Sequence, residues 1–346
     1  HRGLMRWPVR SVRSLFVAAP LTSVLERFKR DHLPPIPGRH VVASALRAVV
    51  LAGVAEQTER SILAVVPGER EAEDLAEDLA LFTSDGFHLP AWETLPFEHV
   101  SPSVSTMADR IVARHALARQ DQTIVVASVR AATQRLSPTS VDPILLTSGS
   151  DTPFDALVES LAELGYRRTE RVESRGEFAV RGGIIDVYPT QASLPVRIDF
   201  WGDTIEEIRP FVISTQRSEG SLDSVEVFPA GEVLISDEMR HRAAELIVDA
   251  PWGASTWERI AEGIRFPGIE SWLPWLAPPK TMLDQTGAIV VLFDPERAKD
   301  RCRDLIGEES DLATALSGTW GKGAPDAGSH PPLYLPLEPR EGTDVL

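Results

Sequence analysis

Three short apolar runs constrain this chain most. They are "SILAVVP" at 61–67, "TIVVAS" at 123–128 and "GAIVVLF" at 287–293. None alternates polar with apolar residues, so each reads as a strand buried on both faces, as in a parallel sheet covered by helices. "EREAEDLAEDLALF" follows the first run and "MADRIVARHALAR" precedes the second. Both have helical apolar spacing, and the first carries acids in its opening turn. "VVASALRAVVLAGVAE" is also helix-like after its first residues. This βαβα rhythm predicts a doubly wound α/β sheet.

Near Asp142 the character changes. "TPFDALVESLAELG" predicts one helix, with Thr152 as its N-cap and Gly165 as its C-terminal cap. After it come "EFAV", "GIIDVYP", "VRIDFWG" and "TIEEIRPF". Gly182-Gly183 breaks one pair of these and Gly202-Asp203 turns another. This is a small α+β unit with an antiparallel sheet, ending near Phe228. Helices return in "DEMRHRAAELIVDA" and "TWERIAEGI", followed by the late run at Ala288–Phe293. A strand of parallel type so late implies that the tail rejoins the first sheet, making the α+β unit an insertion. From Gly318 onward the chain is rich in Gly and Pro and reads as loop or linker.

Composition narrows the function. The 346 residues carry a net charge of -16, and a duplex-DNA binder needs clustered Lys and Arg to release counterions. The single cysteine, Cys302, excludes a disulfide framework and a thiolate zinc cluster. It fits a reducing cytosol, so a cytoplasmic location is expected. No apolar run is long enough to span a bilayer, so no membrane partner is expected. The opening stretch, rich in arginine and free of acids, reads as an N-terminal arm.

Two places sit where nucleotide chemistry would belong. A phosphate loop reads G-x-x-x-x-G-K-[ST], because glycines let backbone N–H groups reach the phosphates, lysine meets their charge and the hydroxyl holds magnesium. Val41, Leu46, Arg47 and Ala48 stand at those four positions. Arg47 keeps only the charge, and Cβ-bearing residues throughout cannot form the cradle. The second place, "VVLFDPER", lacks the acidic pair of a magnesium site: Asp294 is followed by Pro295, and Glu296 comes one residue late. It reads as a strand end with a proline opening the next helix. Neither ATP nor a metal is expected. The eight histidines show no metal-ligand spacing, and no G-x-S-x-G nucleophile elbow occurs. The acids of "EAEDLAEDLA" read as a solvated helix face, and Trp272 and Trp275 as core anchors.

"GYRRTERVESRGEFAVRGGIIDVYP", 165–189, stands apart. Arg167, Arg168, Arg171, Arg175 and Arg181 face Glu170, Glu173 and Glu177, leaving the segment near +2 in an acidic chain. Two readings stay open on physics alone. One is a set of salt-bridged surface strands. The other is an arginine-anchored protein interface, since the planar guanidinium makes bidentate bonds to carboxylates and stacks on its face.

At these residues the sequence resembles the N-terminal UvrB-like region of the bacterial transcription-repair coupling factors. The resemblance is carried by "AWETLPFEHVSPSVSTMADR" (91–110), "IVVASVRAATQRLSP" (124–138), "GEFAVRGGIIDVYP" (176–189), "PVRIDFWGDTIEEIRPF" (195–211) and "STQRS" (214–218), and spans about Pro34 to Arg303. It implies a degenerate RecA-like, P-loop-NTPase-like α/β domain in two segments, 34–141 and 229–316. Residues 1–33 would form the arm and 317–346 a linker. The insert, 142–228, would be an α+β domain that binds the repair protein UvrA. The interface arginines of the family fall on Arg181 and on Arg167 or Arg168, with Tyr188 and Phe178 as the accompanying aromatics. UvrB has a further arginine where Ala179 stands here.

UvrB itself, an ATP-dependent damage-verification enzyme, is the alternative. Its phosphate loop and acidic pair are missing, and so is its aromatic-rich hairpin between the segments matching "FEHVSP" and "IVVAS". The resemblance therefore implies a non-catalytic module that recruits UvrA to RNA polymerase stalled at DNA lesions, for nucleotide excision repair. RNA polymerase and DNA would be met through other domains of a longer protein, of which this chain is expected to be a piece.

Overall fold

The computed structural model describes residues 38–119, 121–138, 142–284, 287–316 and 327–338. The expected arm at 1–33 lies outside them. In chain order, α1 spans Arg47–Thr58, β1 Ile62–Val66, α2 Glu69–Leu79, β2 Gly86–Leu89, α3 Val104–Ala118, β3 Ile124–Ser128 and α4 Val129–Thr133. Then come β4 Ile144–Thr147, α5 Phe154–Glu163, β5 Arg167–Arg168, β6 Glu177–Arg181, β7 Ile184–Val187, β8 Val196–Trp201, β9 Thr204–Pro210 and β10 Ser224–Val227. Last are α6 Asp237–Asp249, α7 Ala254–Ala261, β11 Ile289–Leu292 and α8 Pro295–Leu316. These elements fall into two compact units, one of residues 142–232 and one combining 38–138 with 233–338.

The larger unit has a four-stranded parallel sheet in the order β11-β1-β3-β2. The late strand β11 pairs with β1, Ile62 beside Ile289. Uniformly apolar strands are explained by burial on both faces. Leu63, Val65, Val125, Ala127 and Val290 enter one core. Their neighbours Ile62, Ala64, Val66, Ile124, Val126, Ile289 and Val291 enter the other, beneath α1 and α2. Each Val, Leu or Ile side chain among them contributes about 1.5–3 kcal/mol when fully buried. α2 follows the helical rule, burying Ala72, Leu75 and Leu79 while Glu73, Asp74, Glu77 and Asp78 face water.

Trp272 and Trp275 are half-buried in an aromatic cluster with Trp252 and the fully buried Trp257, packed on the first core. The loop before α3 is pinned from across the chain. Ser101 Oγ accepts from Gly268 N at 2.9 Å and donates to Glu270 at 2.7 Å. Gly268 has φ +80°, and a Cβ there would lie 2.5 Å from the His99 carbonyl carbon, so only glycine fits.

The tail corrects one expectation. Residues 327–338 are not linker: Leu333 and Tyr334 are buried, and their N–H groups donate to the Glu309 carboxylate on α8 at 2.7 and 3.1 Å. Arg135 N donates to Leu333 O and Leu335 N to Thr133 O. An extended segment borrowing partners from elsewhere needs no periodicity of its own, so its Pro- and Gly-rich composition hid it.

In the smaller unit, a five-stranded sheet runs β5-β6-β7-β8-β9, with β5 parallel to β6 and the rest antiparallel. β4 and β10 form a separate antiparallel pair. Leu157 and Leu161 of α5 share a core with Phe178, Ile185, Val187, Val196, Ile198, Ile205 and Ile208. The end of α5 is closed by Gly165 at φ +86°. Gly165 N reaches Ala162 O and Tyr166 N reaches Leu161 O, the double bond of a Schellman cap. The start of α5 departs from expectation. Pro153, not Thr152, is the N-cap and offers no side-chain bond. The free helical N–H of Phe154 is instead accepted by Asp203 Oδ1 at 3.0 Å, from the β8–β9 turn.

Candidate functional site

The five-stranded sheet buries one face and leaves the other polar, because its strands alternate. On the outer face lie Glu177, Ala179 and Arg181 of β6, Asp186 of β7, Arg197 and Asp199 of β8, and Glu207 and Arg209 of β9. Register brings them together: Ala179 pairs with Asp186, Asp186 with Arg197, Arg197 with Arg209, and Asp199 with Glu207.

Asp186 is the centre. Its side chain is only 2% exposed. Arg197 grips both oxygens, Nε to Oδ1 at 2.7 Å and Nη2 to Oδ2 at 2.9 Å. That bonding raises the Arg197 pKa. The Arg197 guanidinium also lies over the Phe211 ring, 4.8 Å from its centroid. Arg181 reaches the same Oδ2 from the rim, with its side chain 50% exposed.

A second pair repeats this layout. Glu177 is buried, and its Oε2 accepts from Glu173 N and Ser174 N, each at 2.9 Å, while Oε1 meets Arg167. The Arg167 side chain is 74% exposed and the Glu177 side chain 6%. In both pairs the carboxylate lies inside and the guanidinium faces water. Arg171 Nη2 donates to Ile213 O at 3.0 Å, and Arg175 lies 6.0 Å from the Tyr188 ring.

The sequence-derived site residues therefore separate. Arg167 and Arg181 share the outer face, four residues of β6 apart in register, or about 13 Å. Arg168, also exposed, stands opposite Phe178 and has the other parity. Tyr188 is 9% exposed, packed with Val172, Ala179 and Phe211, its hydroxyl donating to Ser193 O at 3.0 Å. Phe178 is a correction: it points inward and is 1% exposed, so it supports β6 from below and offers no contact surface. Asp186, Arg197 and Glu177 were missed as supports. The signal was the alternation of Arg197 and Asp199 with apolar residues in "VRIDF", and the lone Asp186 within the apolar "GIIDV".

Segment 144–232 matches a family model described as the UvrB interaction domain. Most of the chain matches proteins described as transcription-repair-coupling factor. That of Mycobacterium tuberculosis is 37% identical over 322 residues, covering 85% of this chain and 25% of the relative. That of Myxococcus xanthus is 32% identical, covering 77% and 24%. Over most of its own length, then, the chain is similar to transcription-repair-coupling factors. A third such factor, from Escherichia coli, is 26% identical over 246 residues, covering 67% of this chain and 21% of the relative. The chain spans about a quarter of the length of the coupling factors it matches. The paired arginines and their buried acids all lie inside the matched domain.

The nucleotide-like positions lie in the larger unit. A 3-10 turn, Ser44–Leu46, runs straight into α1, so the backbone from Ser44 to Ala48 is wound into a helix start that the extended Ala43 precedes. Arg47 Nη2 bonds Asp294 Oδ2 at 2.8 Å, and its guanidinium lies 4.8 Å from the Phe293 ring centroid. Asp294 has φ +48° between β11 and α8, and Arg297 approaches the same oxygen at 3.6 Å. Among the described residues no group of three or more His, Cys, Asp or Glu could hold a metal ion, and no helix is long and apolar enough to cross a membrane.

Proposed function

We propose that residues 142–232 form a non-catalytic docking module for UvrA, and that the longer protein uses it to bring UvrA to RNA polymerase stalled at a DNA lesion. One observation carries this reading. Asp186 is already satisfied at both oxygens by Arg197, so Arg181 can turn to a carboxylate on a partner without leaving a buried charge unpaired. Arg167 offers its guanidinium on the same face, and it is the better second anchor than Arg168 because their parities differ. A surface of outward guanidiniums over inward carboxylates suits acidic protein groups.

The larger unit is proposed to be a RecA-like sheet whose nucleotide position is filled by the Arg47–Asp294 pair, so that ATP is not its cofactor. RNA polymerase and DNA would be engaged by other parts of a full-length coupling factor, in the bacterial cytoplasm.

The test is titration calorimetry of the full chain with the cognate UvrA. Arg181→Ala is expected to weaken binding tenfold or more, as for a central interface arginine. Its circular dichroism should be unchanged. Equal affinity for the variant and the parent chain overturns the interface.

A further inference from the structure

The largest exposed aromatic in the described structure is Trp201, at the end of β8, with 78% of its surface open to water. A tryptophan this exposed leaves a large apolar area uncovered. Its position is specific. A register shift between Asp199 and Phe200 precedes it, Phe200 turns into the core, and Trp201 falls on the outer face that carries Arg181. Phe200 N donates to Gly183 O, which sets Trp201 beside the Gly182-Gly183 turn that follows Arg181. That turn has no side chains to cover the indole. A Cβ on Gly183 would meet Phe200 O at 3.0 Å, so the turn lies close against β8.

Charge is divided about this tryptophan. Toward β5 and β6 stand the outward guanidiniums of Arg167 and Arg181. Toward β9 an open groove is lined by Asp199, Glu206, Glu207 and Asp223, with Arg209 as its one base. A nucleic-acid track needs positive charge along its whole length to displace counterions. A face that changes sign across an exposed aromatic instead complements a folded protein surface of the reverse polarity.

We infer that Trp201 is the apolar anchor of the docking face, inserting into an apolar pocket on the partner protein. Carboxylates of the partner meet Arg181 and Arg167 on one side of it, and a basic group of the partner enters the β9 groove on the other. This rests on the UvrA-docking reading above and adds to it the residue that supplies the buried centre. Interface hot spots are rich in tryptophan and arginine, and polar pairs around them exclude water.

The experiment uses the full chain with Trp201→Ala and Trp201→Phe beside Arg181→Ala, each titrated with UvrA. Trp201→Ala is expected to weaken binding by tenfold or more, and Trp201→Phe by less than fivefold, with thermal midpoints unchanged. In the complex, Trp201 should be shielded from acrylamide, seen as quenching that falls on binding in the parent chain but not in Trp201→Phe. If Arg181→Ala weakens binding and Trp201→Ala does not, this inference fails while the docking reading stands. If neither weakens it, the docking reading fails first. Saturable binding of a single-stranded 20-mer oligonucleotide that is lost in Trp201→Ala would overturn a protein partner. Self-association of the chain, abolished by the same change in sedimentation velocity, would overturn it in favour of a second copy.

Discussion

Arg197 holds Asp186 at both oxygens, at 2.7 and 2.9 Å, beneath the half-exposed Arg181. Two arginines share one buried acid, and they do so unequally. The inner one is structural, and the outer one is available.

That inequality is measurable. Removing Arg197 leaves Asp186 with a single partner at the rim and uncovers Phe211. Arg197→Ala is expected to cost about 2 kcal/mol or more in the stability of the smaller unit. Arg181→Ala should cost less, within about 1 kcal/mol, because Arg181 is half-exposed and Asp186 keeps both bonds from Arg197. Amide hydrogen exchange of β7 and β8 reads both, and equal protection in the two variants would contradict the assignment.

His330 ties the tail to acidity. Its Nε2 accepts from Trp275 Nε1 at 3.2 Å and its Nδ1 faces Pro331 O at 2.7 Å, an arrangement that fits the neutral ring with its proton on Nδ1. Burial lowers its pKa to about 4. The unfolded chain, near the ordinary value of 6.5, takes up the proton first as pH falls. The stabilisation from His330 is therefore complete above about pH 6.5 and is lost as pH falls toward 4. His330→Gln keeps an acceptor but cannot titrate. The parent chain should lose more stability than the variant between pH 7 and pH 4.5 in denaturant unfolding. Glu309, whose pKa burial raises, changes in the opposite sense but is common to both proteins.

Arg47 and Asp294 test the nucleotide position. The pair is partly exposed, and Asp294 has a second neighbour in Arg297, so a double-mutant cycle with Arg47→Ala and Asp294→Ala should return a coupling under about 1 kcal/mol. Magnesium and ATP at millimolar concentration should leave the thermal midpoint unchanged. A ligand at a hundred times its Kd would add about 2.7 kcal/mol and raise it.

Local patterns made much of this fold legible. Apolar runs without alternation marked β1, β3 and β11, because a strand covered on both sides has no polar face to keep. Polar and apolar residues alternate in β8, because one face of that sheet meets water. Gly165 announced the end of α5, because a left-handed residue there favours glycine. The errors have equally local causes. Phe178 sits in an arginine-rich stretch of the sequence, and only strand parity shows that it points into the core. Thr152 is a suitable capping residue, yet a carboxylate from a turn some 50 residues later takes its place. The tail at 327–338 carries no periodicity and is held by Glu309 and the backbone near Thr133 and Arg135.

By itself the sequence determined the buried parallel strands, the long helices and the presence of an arginine-rich segment, since those depend on spacing along the chain, while the short strands β2, β4, β5 and β10 exist only through their pairing partners. The tertiary structure alone decided which arginine is buried against Asp186 and which stands half-exposed at the rim. Arg167, Arg181, Arg197, Glu177 and Asp186 admit several pairings, and charge is the same in all of them. Strand register selects one, placing Asp186 directly beside Arg197 and Arg181 at the rim, because an ion pair depends on angstroms of separation rather than on order in the chain.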